Sequence, residues 1–449
     1  MKLLSLESWK TRLLYTPQAR VDDRSRLLAR ANSLILHVHP PRVPAAALRI
    51  SYTWGLGGIS AALALILGTT GVLLMFRYEA NIDRAYTSIL LLETQMAFGS
   101  LIRAVHHWSA NLLVITTLLH LVRVFLTAGF KQKRFTNWLI GVALLLLMLA
   151  FNFTGYLLPW DQLAYWAVTV VTTMLGYIPF LGEAISSFVR AGSEVSQGTL
   201  SNFYALHVAV LPALAVAATT YHFWRVRKDG GISQPVSQEE QQAEGLTTVP
   251  HLVRIEFAAA AAVIVGLVMW AMLAPAPLKD LADPTHSPNP AKAAWYFLGL
   301  QEFLLHMDTL AAMTLAVIVL AAMAILPLWD AREEDVGLYF RSAVGRRAAL
   351  LGTLLGVDLV PLMVIADEYW IDLPSMLPGW PVAITNGLVP LLFTLAGLAA
   401  VYVGVRKRLK ANHSEALVGL FTFVMVSLVV LTIIGVFFRG PNMALVLPF

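Results

Sequence analysis

Four histidines have the residue type and the spacing of paired metal ligands. In one apolar run His106 precedes His120 by 14 residues, and in another His207 precedes His222 by 15 residues. At 100° and 1.5 Å per residue, the two rings of each run project from roughly the same helix face, about 21 to 22 Å apart. Imidazoles that face each other across a helix bundle can hold the iron of a flat macrocycle from both sides. We therefore expect two haem irons, one ligated by His106 and His207 and the other by His120 and His222.

Glycines and arginines follow the same spacing. Two pairs of glycines are 14 residues apart, Gly57 with Gly71 and Gly141 with Gly155. A residue without a Cβ allows the close approach that a haem edge needs. Arginines lie one helical turn from three of the histidines, where a guanidinium can reach a haem propionate, and these are Arg103, Arg123 and Arg225. A lone membrane histidine more often only bonds a neighbouring helix, and small residues more often only permit packing, but the joint pattern favours haem binding.

The composition excludes a soluble globular protein. Of 449 residues, 58% are hydrophobic and only 13% are charged, against about a quarter charged in soluble domains. Nine apolar stretches are near the length of about 20 residues that a helix needs to cross a bilayer, and they cover 51–76, 104–122, 135–160, 195–224, 257–278, 309–329, 348–366, 381–405 and 416–438. The predicted fold is an all-α polytopic membrane protein with about nine transmembrane helices, four of which form a haem-binding bundle in the N-terminal half.

Cysteine content and charge narrow the classes further. The chain has no cysteine, which excludes disulfides, thiolate-held iron–sulfur clusters and a covalently attached haem. Most of the 32 Lys and Arg residues fall on one side of the membrane if the N-terminus is cytoplasmic, as the positive-inside rule favours. This bias and contact with anionic lipid account for the net charge of +5, and no nucleic acid partner is needed.

Composition also divides the chain into five parts. Residues 1–49 form a basic cytoplasmic segment that is too long and too charged for a secretory signal. Residues 50–228 form the dihaem four-helix bundle, and the polar stretch 229–254 links it to a second membrane module. That module covers 255–340 and includes a proline-rich loop, and additional transmembrane helices follow over 341–449.

Three segments resemble the cytochrome b/b6 family. Residues 103–130 resemble its haem-binding second helix, with the sequence RAVHHWSANLLVITTLLHLVRVFLTAGF. Residues 155–167, GYLLPWDQLAYWA, resemble the segment after its third helix, and 201–222 resemble its fourth helix. The 15-residue histidine spacing, with Asp161 and Gln162 after Trp160, resembles the b6 branch. The second half is more weakly similar to subunit IV of that branch, through AWYFLGLQE over 294–302 and LPLWD over 326–330.

The resemblance implies the cytochrome b subunit of a quinol:cytochrome c oxidoreductase, or of one with a similar acceptor. Two non-covalent haem b groups would carry electrons between an outer quinol-oxidising site and an inner quinone-reducing site. The implied partners are a Rieske iron–sulfur protein, a c-type cytochrome subunit, quinone and lipid, in a homodimeric complex of an energy-transducing membrane, expected to be the bacterial plasma membrane. Arg227 matches a basic residue near the family's quinone-reducing site, and a solvated interfacial charge run explains it equally well.

The outer quinol pocket departs from the family pattern. The family's sequence there is Pro-Glu-Trp-Tyr, whereas this chain has AAWY over 293–296. Proton-coupled quinol oxidation needs a base within reach. We expect Glu302 to replace the missing carboxylate beside Tyr296, with His306 and Asp308 as runners-up. Glu302 could instead cap a helix or pair with Lys292.

The sequence leaves three further possibilities open. Gly55 stands where b6 proteins have the cysteine that attaches a further haem, so a covalent third haem is excluded and a non-covalent one is not. Without the outer glutamate, the chain could be a dihaem membrane anchor that passes quinol electrons to another respiratory enzyme without bifurcation. The third hypothesis is a proton-coupled transporter that uses the buried histidines and Asp358 as relays, and it predicts a colourless protein.

Overall fold

The computed structural model describes residues 39–40, 42–43, 48, 50–131, 134–229, 231–232, 246–330 and 342–447. The predicted N-terminal segment 1–49 and the predicted linker 229–254 lie largely outside these residues. Two short strands, β1 (Arg42–Val43) and β2 (Leu246–Thr247), pair antiparallel with Arg42 opposite Thr247.

Helices account for most of the first half, and the long ones follow the apolar runs. They are α1 (Ile50–Thr53), α2 (Leu56–Met75), α3 (Ala85–Gln95), α4 (Gly99–Leu126), α5 (Phe135–Leu157), α6 (Gln162–Leu175), α7 (Gly182–Arg190), α8 (Gln197–Ala205) and α9 (Leu211–Lys228). A π-helical turn, Leu206–Val210, joins α8 to α9 into one continuous span. Asp161 begins α6 by accepting a hydrogen bond from the backbone N–H of Ala164 at 2.9 Å.

The second half is helical as well. Its helices are α10 (Val253–Leu273), α11 (Trp295–His306), α12 (Thr309–Ala324), α13 (Leu326–Trp329), α14 (Ala343–Tyr369), α15 (Leu373–Met376), α16 (Val389–Arg408) and α17 (His413–Phe437). Two further π turns, Thr248–Leu252 and Ala383–Leu388, precede α10 and α16, and a 3-10 turn, Pro441–Met443, follows α17.

The predicted all-α membrane fold is confirmed, with one difference in the number of spans. Eight helices in the described part of the chain are long and apolar enough to cross a membrane. The remaining predicted span, 309–329, contains α12, which has 16 residues. At 1.5 Å per residue it extends about 24 Å, less than the ~30 Å of a hydrocarbon core. Asp308 caps its first turn, and Pro327 lies just beyond its end.

The chain divides into two compact units whose segments alternate along the sequence. The first contains Met1–Thr70, Ala104–Met148 and Pro212–Ala274, and the second contains Gly71–Arg103, Leu149–Leu211 and Pro275–Phe449. Each of the four long spans of the N-terminal half contributes one part to each unit. The predicted domain borders, which follow the order of the sequence, stay a prediction.

Glycines allow helices of the second unit to pack closely. A Cβ at Gly352 of α14 would collide with the carbonyl oxygen of Gly419 in α17, and a Cβ at Gly299 of α11 would lie 2.7 Å from Oγ1 of Thr432 in α17. Real Cβ atoms essentially never approach another heavy atom within 3.0 Å, so neither glycine can be replaced without movement. This packing fixes α11, the helix that carries Tyr296 and Glu302.

Candidate haem and quinol sites

His120 and His222 come together within the first unit. His120 lies on α4 and His222 lies on α9, and the two rings are close enough to interact electrostatically. Both Nδ1 atoms are buried and have no hydrogen-bond partner among the described residues. Because a buried polar atom without a partner is costly, this pair of imidazoles fits a non-protein group bound between them.

Two of the predicted glycines contact these rings. A Cβ at Gly57 of α2 would lie 3.2 Å from Cε1 of His120, and a Cβ at Gly141 of α5 would lie 3.8 Å from Cε1 of His222. The glycines therefore make room for the imidazoles themselves. The spacing alone did not distinguish this role from room for a haem edge.

The donor set at this place suits haem and not a bare ion. The described residues contain no group of three or more His, Cys, Asp or Glu side chains that could hold a metal ion. A structural zinc site needs four protein ligands, whereas a haem iron takes its equatorial ligands from the porphyrin and needs only axial ones from the protein. Two imidazoles from facing helices supply that number.

Arg123 lies one turn beyond His120 and has unused donor capacity. Its Nε donates to the carbonyl oxygen of Tyr52 at 3.2 Å, and its guanidinium carbon lies 4.7 Å from the centre of the Tyr52 ring. Its Nη2 is buried without a hydrogen-bond partner among the described residues. A buried guanidinium nitrogen of this kind suits a carboxylate such as a haem propionate.

Arg225 and Arg227, which follow His222 on α9, differ from Arg123 in their surroundings. Arg225 forms an ion pair with Asp229, four residues along the chain, at 2.9 Å. Arg227 lies partly buried in the last turn of α9. The predicted propionate contact of Arg225 and the predicted quinone contact of Arg227 stay predictions.

His106 and His207 lie in different units, and each is oriented by a bond within its own unit. Nδ1 of His106 lies 2.9 Å from Oγ1 of Thr70, and Nδ1 of His207 lies 3.1 Å from the carbonyl oxygen of Phe151. A hydrogen bond to Nδ1 fixes the plane and tautomer of a ligating imidazole, and the rings of His120 and His222 lack such a bond among the described residues. A Cβ at Gly155 would lie 2.5 Å from Cε1 of His207, so glycine is required there. The pairing of the two histidines, and the role of Gly71, stay predictions.

His207 lies in the π turn Leu206–Val210. A π turn closes i→i+5 hydrogen bonds, so it holds one residue more than an α turn. The 15 residues from His207 to His222 therefore correspond to about 14 of regular helix, the separation of His106 and His120. At 100° per residue throughout, a spacing of 14 falls 40° short of four full turns, and a spacing of 15 exceeds four turns by 60°. The angle between the two rings of a pair would therefore differ by 100° between the two helices. The π turn removes this difference.

Arg103 is engaged by protein groups of the second unit. Its guanidinium forms an ion pair with Glu93 and donates to the carbonyl oxygens of Ala276 and Pro277 at 3.0 and 2.7 Å. These bonds anchor the start of the proline-rich loop to α4. Because they account for this buried charge, the structure does not support the predicted haem contact of Arg103.

The segment that follows α5 holds the same loop. Asp161 accepts a hydrogen bond from the N–H of Lys279 at 3.1 Å, and the N–H of Gln162 donates to the carbonyl oxygen of Asp280 at 2.7 Å. These contacts position the chain that leads into α11.

A small apolar cavity lies beside α11 in the second unit. It is lined by Phe153, Tyr156, Ala167, Val171, Ala293, Ala294, Tyr296 and Phe297. Burial raises the pKa of Tyr296 above its ordinary value, and the neighbouring Tyr156 adds to the rise. Tyr296 lines the cavity and keeps its proton at neutral pH, as a tyrosine without a lowered pKa does. Phe153 and Tyr156 were not predicted as site residues, although both lie within two residues of the predicted Gly155.

Glu302 does not line this cavity. Its side chain is 1% exposed, and its Oε1 accepts hydrogen bonds from Nε and Nη2 of Arg439 at 2.9 and 2.5 Å. Burial alone would raise the pKa of Glu302, but hydrogen bonds from His306 and Arg439 outweigh burial and lower it. The structure thus does not support the prediction that Glu302 takes a quinol proton directly. Lys292, the other partner considered for Glu302, instead donates to the carbonyl oxygen of Val436 at 2.9 Å.

The two runners-up are engaged elsewhere. Nδ1 of His306 lies 2.6 Å from Oδ2 of Asp367, and its Nε2 lies 3.5 Å from Oε1 of Glu302. Burial lowers the pKa of His306, but the bonds to Asp367 and Glu302 outweigh burial and raise it to about 9. Asp308 caps α12 by accepting a hydrogen bond from the N–H of Ala311 at 2.7 Å.

Arg439→Met is expected to destabilise the protein strongly. The Arg439 and Glu302 side chains are both 1% exposed, so the substitution removes the closest counter-charge of a buried carboxylate and leaves only the more distant His306 ring, at a cost of up to about 3–5 kcal/mol. Thermal unfolding of the purified protein measures the loss. The double variant Arg439→Met with Glu302→Gln removes the stranded charge and should recover most of the stability. Equal unfolding temperatures for the single and double variants would contradict this account.

Comparison with known proteins decides the family. Residues 43–230 match the model of the cytochrome b/b6/petB family. Cytochrome b6 of Porphyra purpurea is 41% identical over 215 residues, which are 48% of this chain and 96% of that protein. The chain belongs to the cytochrome b/b6 family. Cytochrome b6 of Prochlorococcus marinus strain NATL1A is 43% identical over 181 residues, 40% of this chain and 83% of that protein. The predicted family is thus confirmed, and with it a multi-pass membrane protein of electron transport.

A solved structure shares the fold beyond the matched region. A chain of the hyperthermophilic respiratory Complex III is 19% identical, with a TM-score of 0.64, and the match covers 92% of this chain and 97% of that chain. At this identity the likeness concerns the fold alone. Since it covers nearly all of the chain, it includes helices that follow residue 230.

Proposed function

We propose that this cytochrome b/b6 family member is the cytochrome b subunit of a quinol oxidoreductase complex and carries electrons across the membrane through two b haems. The observation that carries the proposal is the pair formed by His120 and His222, whose buried Nδ1 atoms have no partner among the described residues. Family membership supplies the cofactor class. The second haem, held by His106 and His207, rests on the spacing and on the family.

The residues that would hold the first haem have separate tasks. His120 and His222 would ligate the iron, Gly57 and Gly141 admit their rings, and the unpartnered Nη2 of Arg123 would bind a propionate. Bound haem supplies one-electron redox chemistry, with a potential set by its axial ligands and surroundings. Burial of these groups keeps water away and so limits the reorganisation that charge transfer requires.

The cavity beside α11 is the candidate quinol site. Its walls are aromatic and apolar, as a quinone ring requires, and they must move apart to admit one because the cavity is small. Tyr296 in the lining would then donate a hydrogen bond to a quinone oxygen. We place this site on the outer side, with the N-terminus in the cytoplasm of a bacterial plasma membrane. The proposed partners are a Rieske iron–sulfur protein and a c-type cytochrome, in a homodimeric complex.

A redox titration of the purified complex tests the proposal. We expect the dithionite-reduced minus oxidised spectrum to show two b-type components with different midpoint potentials, both reduced by added quinol. Two haems near opposite surfaces divide a bilayer of about 30 Å into short electron steps, which one haem could not do. A flat difference spectrum, or a single component, would contradict the two-haem proposal.

One observation favours a second candidate, a dihaem anchor that passes quinol electrons on without bifurcation. The residues that line the cavity include no carboxylate, and Glu302 is paired with Arg439. Purification distinguishes the two functions, since only the first requires a Rieske protein that co-purifies and accepts one electron per quinol.

A further inference from the structure

A line of ionisable side chains runs from the interior of the second unit to its surface. The Glu302 side chain is 1% exposed, that of His306 is 14% exposed and that of Asp367 is 40% exposed. Glu302 and His306 lie on one face of α11, one turn apart, and Asp367 lies near the end of α14. The order of exposure gives the line a buried end and a solvent end.

The imidazole of His306 lies between the two carboxylates. Its Nε2 is 3.5 Å from Oε1 of Glu302, and its Nδ1 is 2.6 Å from Oδ2 of Asp367. An imidazole can accept a proton at one ring nitrogen and release a proton from the other, with a pKa that small changes in surroundings shift. This geometry is therefore suited to proton transfer between the carboxylates.

Two buried atoms of the line have hydrogen-bonding capacity to spare. Oε2 of Glu302 is buried without a hydrogen-bond partner among the described residues, and the buried Nε2 of His306 has only its long contact of 3.5 Å with Oε1 of Glu302. Structural ion-pair networks usually satisfy such atoms, because leaving them unbonded costs free energy. Their state here suits groups whose bonds form and break as a proton passes.

Charged side chains around Glu302, His306 and Asp367 bind or act electrostatically on these residues. Arg439, beyond the end of α17, donates to Glu302 and, at 2.8 Å, to Oε2 of Glu368. Lys292, which precedes α11, also acts electrostatically on Glu302. Together with Asp367, these are the charged groups of the described residues that face His306 and Glu302 from α11, α14 and the segment after α17.

We propose that Glu302, His306 and Asp367 form a proton-release relay from the quinol site to the outer surface, which deepens the proposed function and rests on it. The charged His306 ring releases the proton on Nδ1 to Asp367 and then to water, which leaves a neutral ring with its remaining proton on Nε2. Reorientation of the ring presents the empty Nδ1 to the Glu302 carboxylate, and a proton bound there restores the charged ring. One proton enters and one leaves in each cycle.

The proposed relay assigns a function to residues of the additional C-terminal helices. Asp367 and Arg439 lie in the part of the chain that follows 341, beyond the segments that carry the resemblance to the family. Tyr296 lies six residues before Glu302, about 9 Å along the axis of α11, so water must bridge the cavity and the buried end of the relay.

Two neighbouring carboxylates provide a matched test in the intact complex. Asp367→Asn removes the acceptor for His306, whereas Glu368→Gln changes the next residue, which bonds Arg439 and not His306. We expect Asp367→Asn to slow quinol oxidation about tenfold or more at neutral pH, and Glu368→Gln to change it less than about twofold. Imidazole added to the buffer can take the proton from the partly exposed His306, so it should raise the rate of Asp367→Asn in proportion to its concentration.

The outcomes separate the relay from the function on which it rests. A slow Asp367→Asn variant that imidazole accelerates, beside a normal Glu368→Gln variant, supports the relay. Equal rates in the two variants, or a slow Asp367→Asn variant without a response to imidazole, overturns it. The difference spectrum of each variant is the second readout. If both b-type components are unchanged and only the rates differ, the proposed function stands. If the unaltered complex itself shows no b-type components, the proposed function is contradicted.

Discussion

Replacing either His120 or His222 by Leu is expected to remove one b-type component from the difference spectrum and to leave the other. The two rings lie together in one unit, with buried nitrogens that have no partner among the described residues. Leucine has a similar volume but no ligating atom, so the haem would lose an axial bond while the helices keep their packing. Haem b per chain should fall by about half.

Both single variants should lose the same b-type component. This expectation tests the shared iron more directly than the loss of haem alone. If His120 and His222 ligate one iron, the double variant His120→Leu with His222→Leu should resemble either single variant. His107→Leu is the matched control on α4. His107 lies within hydrogen-bond distance of Asn111 on its own helix, at 3.3 Å, and it points about 100° away from His106. Loss of different components from the two single variants would contradict a shared iron.

The membrane helices were predictable because their signal is strong and local. A helix in lipid needs about 20 apolar residues and leaves no backbone group unsatisfied, so composition alone locates it. The number of spans differs by one, at the predicted run 309–329, which contains Pro327. α12 ends at Ala324, three residues before Pro327, and is too short to be counted with the other eight spans of the described residues.

The π turn shows where periodicity stops being informative. The spacing of 15 between His207 and His222 matches the spacing of 14 between His106 and His120 once one turn holds an extra residue. Nothing in the sequence of Leu206–Val210 marks it as a π turn. Predicting the four histidines as ligands therefore required only residue type and approximate spacing, whereas the local helix geometry around His207 required the structure.

The partners of Glu302 lay beyond any local pattern. Arg439 follows it by 137 residues and Asp367 contacts His306 across 61 residues, and such contacts depend on how α14 and α17 pack against α11. Glu302 could therefore be singled out as a carboxylate of α11 from the sequence, but its ion pair could not. Arg103 shows the same limitation, because its carbonyl acceptors at Ala276 and Pro277 are more than 170 residues away.

A series of glycine-to-alanine variants should disturb the histidines in a fixed order. An added Cβ would lie 2.5 Å from the His207 ring at Gly155, 3.2 Å from the His120 ring at Gly57 and 3.8 Å from the His222 ring at Gly141. The first distance forces the ring or a helix to move, the second requires a small shift and the third is ordinary contact. We expect haem retention after detergent washing to fall most for Gly155→Ala, less for Gly57→Ala and least for Gly141→Ala.

Gly68→Ala separates this effect from helix propensity. Gly68 lies on α2, like Gly57, but a Cβ there would meet nothing within 4 Å. Alanine favours helix over glycine by about 1 kcal/mol, so Gly68→Ala should retain haem and unfold at the same or a higher temperature. Overpacking costs about 1–3 kcal/mol, enough to reverse that gain at Gly155. If all four variants retained haem equally, the imidazoles would not occupy the places that these glycines leave open, and the ligand assignment would fail with them.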